Sequence, residues 1–231
     1  MYEQPPALPT TAARATVEDR AAFLVKTYQT LFGAVVAFVA LEFVLFATGI
    51  ADAIARFAFN TNWLLFLGGF ILVASMARRF SLSESTGTQW AALAGYIIAE
   101  AIIFAPLLFV AESYADGVIS SAAAVTLAGF AALTAIVFAT RKDFSFMRGA
   151  LLWLGFGALG LIVASVLFGF QLGNLFSIAM IVLAGGAILY DTSKVLLHYP
   201  TDRHVGAALD LFASAGLMFW YVLRLFMGGR R

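Results

Sequence analysis

The sequence has no cysteine and little charge, and both absences narrow what the protein can be. Without a thiol it cannot form a disulfide, a thiolate metal site or a cysteine nucleophile. Charged residues make up 12% of the 231 residues, well below the share in an average soluble domain, whereas 62% are hydrophobic. The net charge of +1 is too small for a nucleic-acid-binding protein. The mean hydropathy of +0.94 indicates an integral membrane protein, with the lipid bilayer as its main partner.

Signatures of catalysis are missing as well. The two histidines, His198 and His204, are expected in one solvated loop, with no nucleophile at a recognisable spacing. No zinc-protease HExxH motif and no serine-hydrolase GxSxG motif is present. A retinal protein is disfavoured because the last apolar run has no lysine for a Schiff base. We therefore predict a protein that is not an enzyme and has no cofactor.

Seven apolar runs approach the roughly 20 residues that a helix needs to cross a bilayer. Their apolar residues are continuous rather than alternating, which favours helices over strands. The second run is short unless residues 57–62 belong to it. We predict an all-α membrane domain over residues 23–231, preceded by a mobile cytoplasmic tail over residues 1–22. The runs are Phe23–Thr48, Trp63–Ala77, Trp90–Val110, Val118–Ala139, Gly149–Phe168, Leu175–Tyr190 and Val205–Phe226.

The positions of Lys and Arg predict the orientation in the membrane. With seven crossings, ten of the 14 basic residues fall on the side of the N-terminus. Cytoplasmic loops are enriched in these residues, so we place the N-terminus in the cytoplasm. The first run then serves as an uncleaved signal anchor. Only the C-terminal Arg230 and Arg231 disagree with this orientation.

Four acidic residues fall within or at the ends of the apolar runs. Glu42 lies in the outer part of the first run, and Glu100 lies near the middle of the third. An ionised carboxylate in hydrocarbon is costly and persists where it is paired, hydrated or functional. Glu42 has two equally acceptable explanations. One is structural, a bond to water or to a neighbouring helix, and the other is a function. The short side chain of Glu100 is too deep to reach water, which favours a functional role facing a cavity.

The other two acidic residues, Asp191 and Asp210, flank the short loop between the sixth and seventh runs. Asp191 has one local candidate partner, Lys194, three residues later on the same helical face. Its other candidate is Asp210, at similar depth across the loop. Two adjacent carboxylates either share a proton as a latch or bind a hard cation such as Ca²⁺. Arg78 and Arg79, at the end of the second run, are placed to neutralise such a pair.

Three short segments resemble one protein family. They are residues 188–194 (ILYDTSK), residues 142–146 (KDFSF) and the closing residues 207–226. The chain is similar to the transmembrane Bax-inhibitor-motif family, bacterial branch. The resemblance implies a bundle of seven helices with the last one central, in the inner membrane of a bacterium. It also implies a pH-sensitive Ca²⁺ leak, with Ca²⁺ as the transported ion.

The resemblance further implies a latch in which aspartates on the sixth and seventh helices share a proton, assisted by an arginine on the second helix. Asp191 matches the first aspartate and Arg78 matches the arginine. Ser214 stands where the second aspartate is expected, and Asp210 lies one turn earlier, about 6 Å along the helix. Three alternatives follow: a latch rebuilt from Asp210, a hydrogen bond between Asp191 and Ser214, or no latch.

Two functions therefore compete. The first is a Ca²⁺ leak channel with a pH-sensitive carboxylate latch at its cytoplasmic mouth. The second is a non-conducting regulatory or structural subunit of a larger membrane complex. Bacterial members with serine at this position resemble regulators or substrates of an ATP-dependent membrane protease. The predicted tail and the exposed aromatic residues fit such a docking role.

Overall fold

The computed structural model describes residues 11–228, and this part of the chain is all α-helical, as predicted. Seven of its helices are long and apolar enough to cross a membrane. The protein is therefore a multi-pass membrane protein. The eight helices are α1 (Val17–Ala47), α2 (Ile50–Asn60), α3 (Trp63–Phe80), α4 (Thr86–Tyr114), α5 (Val118–Thr140), α6 (Met147–Phe168), α7 (Asn174–Leu197) and α8 (His204–Gly228).

The spanning helices correspond one to one with the predicted apolar runs, but most extend beyond them. α7 shows the largest difference, because it continues to Leu197 whereas the predicted run stops at Tyr190. The prediction counted apolar residues, whereas backbone hydrogen bonding continues for about two further turns into polar sequence. Asp191 and Lys194 are consequently inside a regular helix rather than at its end.

A short additional helix, α2, was not predicted. It has 11 residues, too few to span a bilayer, and carries a surface ion pair of 3.2 Å between Arg56 and Asp52. The suggestion that residues 57–62 extend the next helix is wrong, since the chain is extended at Thr61. Asn62 then caps α3 by accepting a hydrogen bond of 2.9 Å from the Leu64 amide.

α8 is the central helix of the bundle. It packs against α1, α3, α4, α5 and α7, and most of its first half is buried. Close packing requires glycine at position 206, because a Cβ there would lie 2.6 Å from the carbonyl oxygen of Ser81. α6 is peripheral by contrast, since it packs mainly against α7 and has no buried residue.

The basic residues gather at one end of the bundle. In the described part of the chain, every Lys and Arg except Arg56 and Arg224 lies where α1, α4, α6 and α8 begin and α3, α5 and α7 end. We call this the basic end. It contains the loop that joins α7 to α8.

The segment before α1 is part of the fold from residue 11 onward, which corrects the predicted boundary at residue 23. Ala12 is fully buried, and its amide donates a hydrogen bond of 2.9 Å to the carbonyl oxygen of Tyr199. The next amide, of Ala13, donates to Leu197 at 3.2 Å. α1 then begins at Val17 rather than at Phe23. Residues 1–10 of the predicted tail lie outside the described residues.

Candidate functional site at the α7–α8 interface

The α7–α8 pair brings together the residues that the sequence singled out. α7 ends at Leu197 and α8 begins at His204, so the two helices are antiparallel across a short loop. The last turns of α7 therefore face the first turns of α8. Asp191 and Ser214 meet deeper in this interface, and Asp210 lies one turn closer to the loop.

Asp191 is hydrogen-bonded to Ser214, which is the second of the three predicted alternatives. The Ser214 hydroxyl donates to the Oδ2 atom of Asp191 in a short hydrogen bond. Ser214 is buried and Asp191 is half-buried, so little water competes for this bond. Neither Asp210 nor Lys194 is the hydrogen-bond partner of Asp191 in this structure.

Asp210 has a separate set of partners. Its Oδ2 atom accepts a hydrogen bond of 2.9 Å from the Lys194 ammonium and one of 2.8 Å from the Tyr199 hydroxyl. The Lys194 nitrogen also lies 4.8 Å from the centre of the Tyr199 ring, a cation–π contact. Lys194 thus reaches forward across the interface to Asp210 instead of back along its own helix to Asp191.

Tyr199 is a residue of this site that the sequence analysis missed. It lies in the α7–α8 loop, and a single tyrosine in a loop gives no signal of its own. Burial, together with the neighbouring Asp210 carboxylate, raises the pKa of Tyr199 above its ordinary value. The phenol therefore stays protonated and remains a hydrogen-bond donor to Asp210.

Arg78 adds a second positive charge to this region. It stands in the last turn of α3 and interacts electrostatically with Asp210 and Asp191. Its side chain is exposed, and it forms no direct ion pair within residues 11–228. With both acids ionised, Asp191, Asp210, Lys194 and Arg78 form a cluster of zero net charge.

The cluster does not form a cation cage in this conformation. Ca²⁺ takes about six to eight oxygen ligands. No group of three or more His, Asp or Glu residues in the described chain is arranged to hold a metal ion. Asp191 is engaged by Ser214, and Asp210 by Lys194 and Tyr199. A cation that used both predicted ligands would first have to displace Lys194.

Glu100 lies in the middle of the bundle against α8. It is 3% exposed, and a Cβ added at Gly216 would overlap its carboxylate. Tyr96 lies one turn earlier on the same helix, α4. The Oε2 atom of Glu100 has no hydrogen-bond partner among the described residues. Glycine at position 216 thus lets this acid approach the backbone of the central helix.

Glu42, on α1, is also buried, at 7% exposure. Neither of its carboxylate oxygens has a hydrogen-bond partner in the part of the chain that the structure describes. No side chain of a neighbouring helix in this part of the chain therefore supplies Glu42 with a hydrogen bond.

The two histidines occupy different positions. His198 lies in the loop, as predicted, and its Nε2 atom is 2.9 Å from Oδ2 of Asp143 in the α5–α6 loop. The Ser145 amide, assisted by His198, lowers the pKa of Asp143, which keeps this carboxylate ionised. His204 was expected in the loop but is the first residue of α8, where it contacts the Trp90 ring edge-on at 6.4 Å.

Two of the segments that carry the family resemblance contact each other. The amide of Phe144, in residues 142–146, donates a hydrogen bond of 3.2 Å to the Ser193 hydroxyl, in residues 188–194. Ser193 is fully buried, and its hydroxyl donates in turn to the Tyr190 carbonyl oxygen at 3.0 Å. The α5–α6 loop is thereby held against the turn of α7 that follows Asp191.

These features define a class: a multi-pass helical membrane protein with a cluster of charged and polar groups at one end of a buried central helix. The chain matches the family described as "Inhibitor of apoptosis-promoting Bax1" over residues 20–231. It therefore belongs to the Bax inhibitor family, as the resemblance predicted. It is 34% identical over 112 residues to the uncharacterized protein PA2604 of Pseudomonas aeruginosa. That alignment covers 47% of this chain and 49% of the relative, so the chain spans about half the length of the curated relative it matches.

Proposed function

We propose that this protein is a pH-sensitive Ca²⁺ leak channel of a bacterial inner membrane, with its N-terminus and basic end in the cytoplasm. The observation that carries the proposal is the hydrogen bond between Asp191 on α7 and Ser214 on the central helix. It ties the two helices together at the proposed mouth. Membership of the Bax inhibitor family and the seven spanning helices support the same function.

The proposed path follows acidic residues at successive depths. Asp191, on α7, meets the central helix at Ser214, and Glu100 faces Gly216, two residues farther along α8. Glu42, on α1, lies farther still from the basic end along its own helix. Acidic side chains inside a membrane protein typically mark ion or proton pathways. Carboxylate oxygens are also the ligands that Ca²⁺ prefers.

The proposed gate opens when Asp191 takes up a proton. In the closed state the Ser214 hydroxyl donates to an ionised carboxylate, and such charge-assisted bonds are roughly twice as strong as neutral ones. Protonation converts this bond into a neutral one. It also leaves Lys194 and Arg78 facing a single negative charge, on Asp210. Both changes destabilise the closed mouth, so Ca²⁺ flux rises as the pH falls.

The test is Ca²⁺ flux into proteoliposomes, measured from about pH 5 to about pH 8. We expect wild-type flux to increase towards acid pH. Asp191→Asn, which imitates the protonated state, should conduct at a high rate that no longer depends on pH. Absence of wild-type flux at every pH would refute the channel. If Asp191→Asn kept the pH dependence of wild type, the proposed gate would be refuted but the channel would not.

Asp210→Asn is the matched comparison for Asp191→Asn. It removes the anionic partner of Lys194, which is then free to pair with Asp191, three residues earlier on α7. That pairing stabilises the ionised form of Asp191. We therefore expect the pH response to persist and to move to lower pH. Equal behaviour of the two variants would instead favour a latch shared by both aspartates.

The second candidate function is a non-conducting subunit of a membrane complex, such as one with an ATP-dependent protease. One observation favours it: α6 has no buried residue and exposes Trp153 and Phe156 by 77% and 60%. Such a helix offers a face for lateral association. Affinity purification in native lipid nanodiscs tests this candidate. Recovery of this chain alone would count against it.

A further inference from the structure

A groove between α1 and α4 opens towards the surrounding lipid. Its volume is about 430 Å³, within the range of small-molecule sites. Small residues of α1, Gly33, Ala34 and Ala37, form one wall, and Leu93 and Ile97 of α4 form part of the other. A Cβ added at Gly33 would meet nothing within 4 Å, so the groove is open at that residue. Its mostly apolar lining suits a hydrocarbon chain.

One end of this groove is polar and lies at the basic end of the bundle. Gln29 and Thr30 line it there, opposite Trp90 of α4. Lys26 is one turn earlier on the same face of α1, at the spacing of three and four residues that aligns side chains along a helix. Lys26 is exposed and interacts electrostatically with His204. It forms no ion pair with any residue between 11 and 228.

A second groove provides an internal comparison. It lies among α2, α3 and α4, has a volume of about 360 Å³, and is lined by apolar residues that include Phe57 and Gly69. The adjacent cation, Arg56, is already paired with Asp52 at 3.2 Å. The two grooves are similar in size and apolar lining. They differ in charge, because Lys26 at the polar end of the α1–α4 groove is unpaired within residues 11–228 whereas Arg56 is paired.

We propose that the α1–α4 groove binds one anionic phospholipid from the leaflet at the basic end. An acyl chain lies along Gly33 and Ala37, and the phosphate is recognised by Lys26 next to the amphipathic Trp90 ring. Anionic headgroups are attracted to basic residues at a membrane surface, and tryptophan is favoured at headgroup depth. This inference is independent of Ca²⁺ conduction, since it concerns the outer face of α1 and α4 and none of the residues at the proposed gate.

The test is native mass spectrometry of the delipidated, detergent-solubilised protein with added phosphatidylglycerol or phosphatidylcholine of identical acyl chains. We expect wild-type protein to retain one phosphatidylglycerol with about fivefold preference over phosphatidylcholine. Lys26→Gln should remove the preference. Gly33→Leu should reduce retention of both lipids by filling the groove.

Gly69→Leu is the matched control. It places the same side chain in the second groove, where an added Cβ also meets nothing within 4 Å. We expect it to leave phosphatidylglycerol retention unchanged. Should Gly33→Leu fail to fold, Ala37→Leu fills the same groove one turn farther along α1. Equal retention of the two lipids by wild-type protein, or an equal loss in Gly33→Leu and Gly69→Leu, would overturn the proposal.

Discussion

The acidic residues beside the central helix form two groups with different surroundings. At the basic end, Asp191 has Ser214 as its partner, and Asp210 has Lys194 and Tyr199. Deeper in the bundle, Glu100 has one oxygen atom without a partner, and Glu42 has two. A buried polar group without a hydrogen bond lowers stability by about 1–3 kcal/mol. We infer that the partnered group holds helices together, whereas the deeper group lowers stability and belongs to the proposed ion path.

The largest loss of stability is expected when the space around Glu100 is filled. Gly216→Ala places a methyl group against this buried carboxylate, and we expect it to lower the free energy of unfolding in detergent by about 2 kcal/mol. The double variant Gly216→Ala/Glu100→Ala should recover most of this loss. Gly155→Ala is the control, because an added Cβ there meets nothing within 4 Å. Equal losses of stability in Gly216→Ala and Gly155→Ala would show that the Glu100 carboxylate does not require glycine at position 216.

Removing a partner at the basic end should be nearly as costly. Lys194→Met keeps the length of the side chain but leaves Asp210 with Tyr199 alone. Because Lys194 is 34% exposed, solvent screening reduces the loss expected for a buried pair, and we expect about 1–2 kcal/mol. Chemical denaturation in detergent measures this change. A stability equal to wild type would mean that the ion pair is not structural.

Glu100→Gln and Glu42→Gln test the functional side of the comparison. Each keeps the shape of the side chain and removes its ability to carry a charge. We expect stability to stay within about 1 kcal/mol of wild type, because neither carboxylate has a full set of partners to lose. Ca²⁺ flux in proteoliposomes should fall several-fold in both variants. Unchanged flux together with unchanged stability would leave the deeper acids without a role.

Ser214→Ala should have a smaller effect on stability and a distinct effect on flux. It removes the donor to Asp191, at a cost of about 1 kcal/mol. Flux at neutral pH should rise towards the acid level of the wild-type protein, because the closed mouth has lost one bond. Neutral-pH flux equal to that of wild type would show that this hydrogen bond does not hold the mouth closed.

The smallest effect is expected outside the membrane. The lowered pKa of Asp143 means that its stabilising contribution is present above the pKa of the unfolded chain and is lost as the pH falls through the folded pKa. Asp143→Asn should therefore destabilise at neutral pH. The difference from wild type should begin to shrink below about pH 4 and disappear once the pH is below the lowered folded pKa. The side chain is 43% exposed, so we expect at most about 0.5 kcal/mol in denaturation measured against pH.

The apolar runs were sufficient to predict the all-helical membrane fold and its seven spanning helices, because a continuous apolar run in a bilayer satisfies its backbone hydrogen bonds by forming a helix. They were not sufficient for the partner of Asp191. Asp210 and Ser214 differ by one turn of α8, and Lys194 can reach either aspartate, so the outcome depends on the relative height and rotation of two helices. Periodicity does not determine either quantity.

Two other features escaped the sequence analysis for a different reason. α2 is too short and too polar to resemble a membrane span, so a hydropathy argument passes over it. Tyr199 belongs to the site only because its loop folds back over Asp210. Contacts of this kind arise from tertiary packing, and no local sequence pattern predicts them.

The segment ahead of α1 has a practical consequence for anyone who produces this protein. Ala12 donates its amide hydrogen to Tyr199, and the Tyr199 phenol donates to Asp210. Trimming the chain into residues 11–16, or fusing a folded tag directly to them, removes or crowds the backbone that supports this tyrosine. A purification handle at the N-terminus therefore needs to stay upstream of Thr11, followed by a flexible spacer, if measurements are to report on the native arrangement of Tyr199 and Asp210.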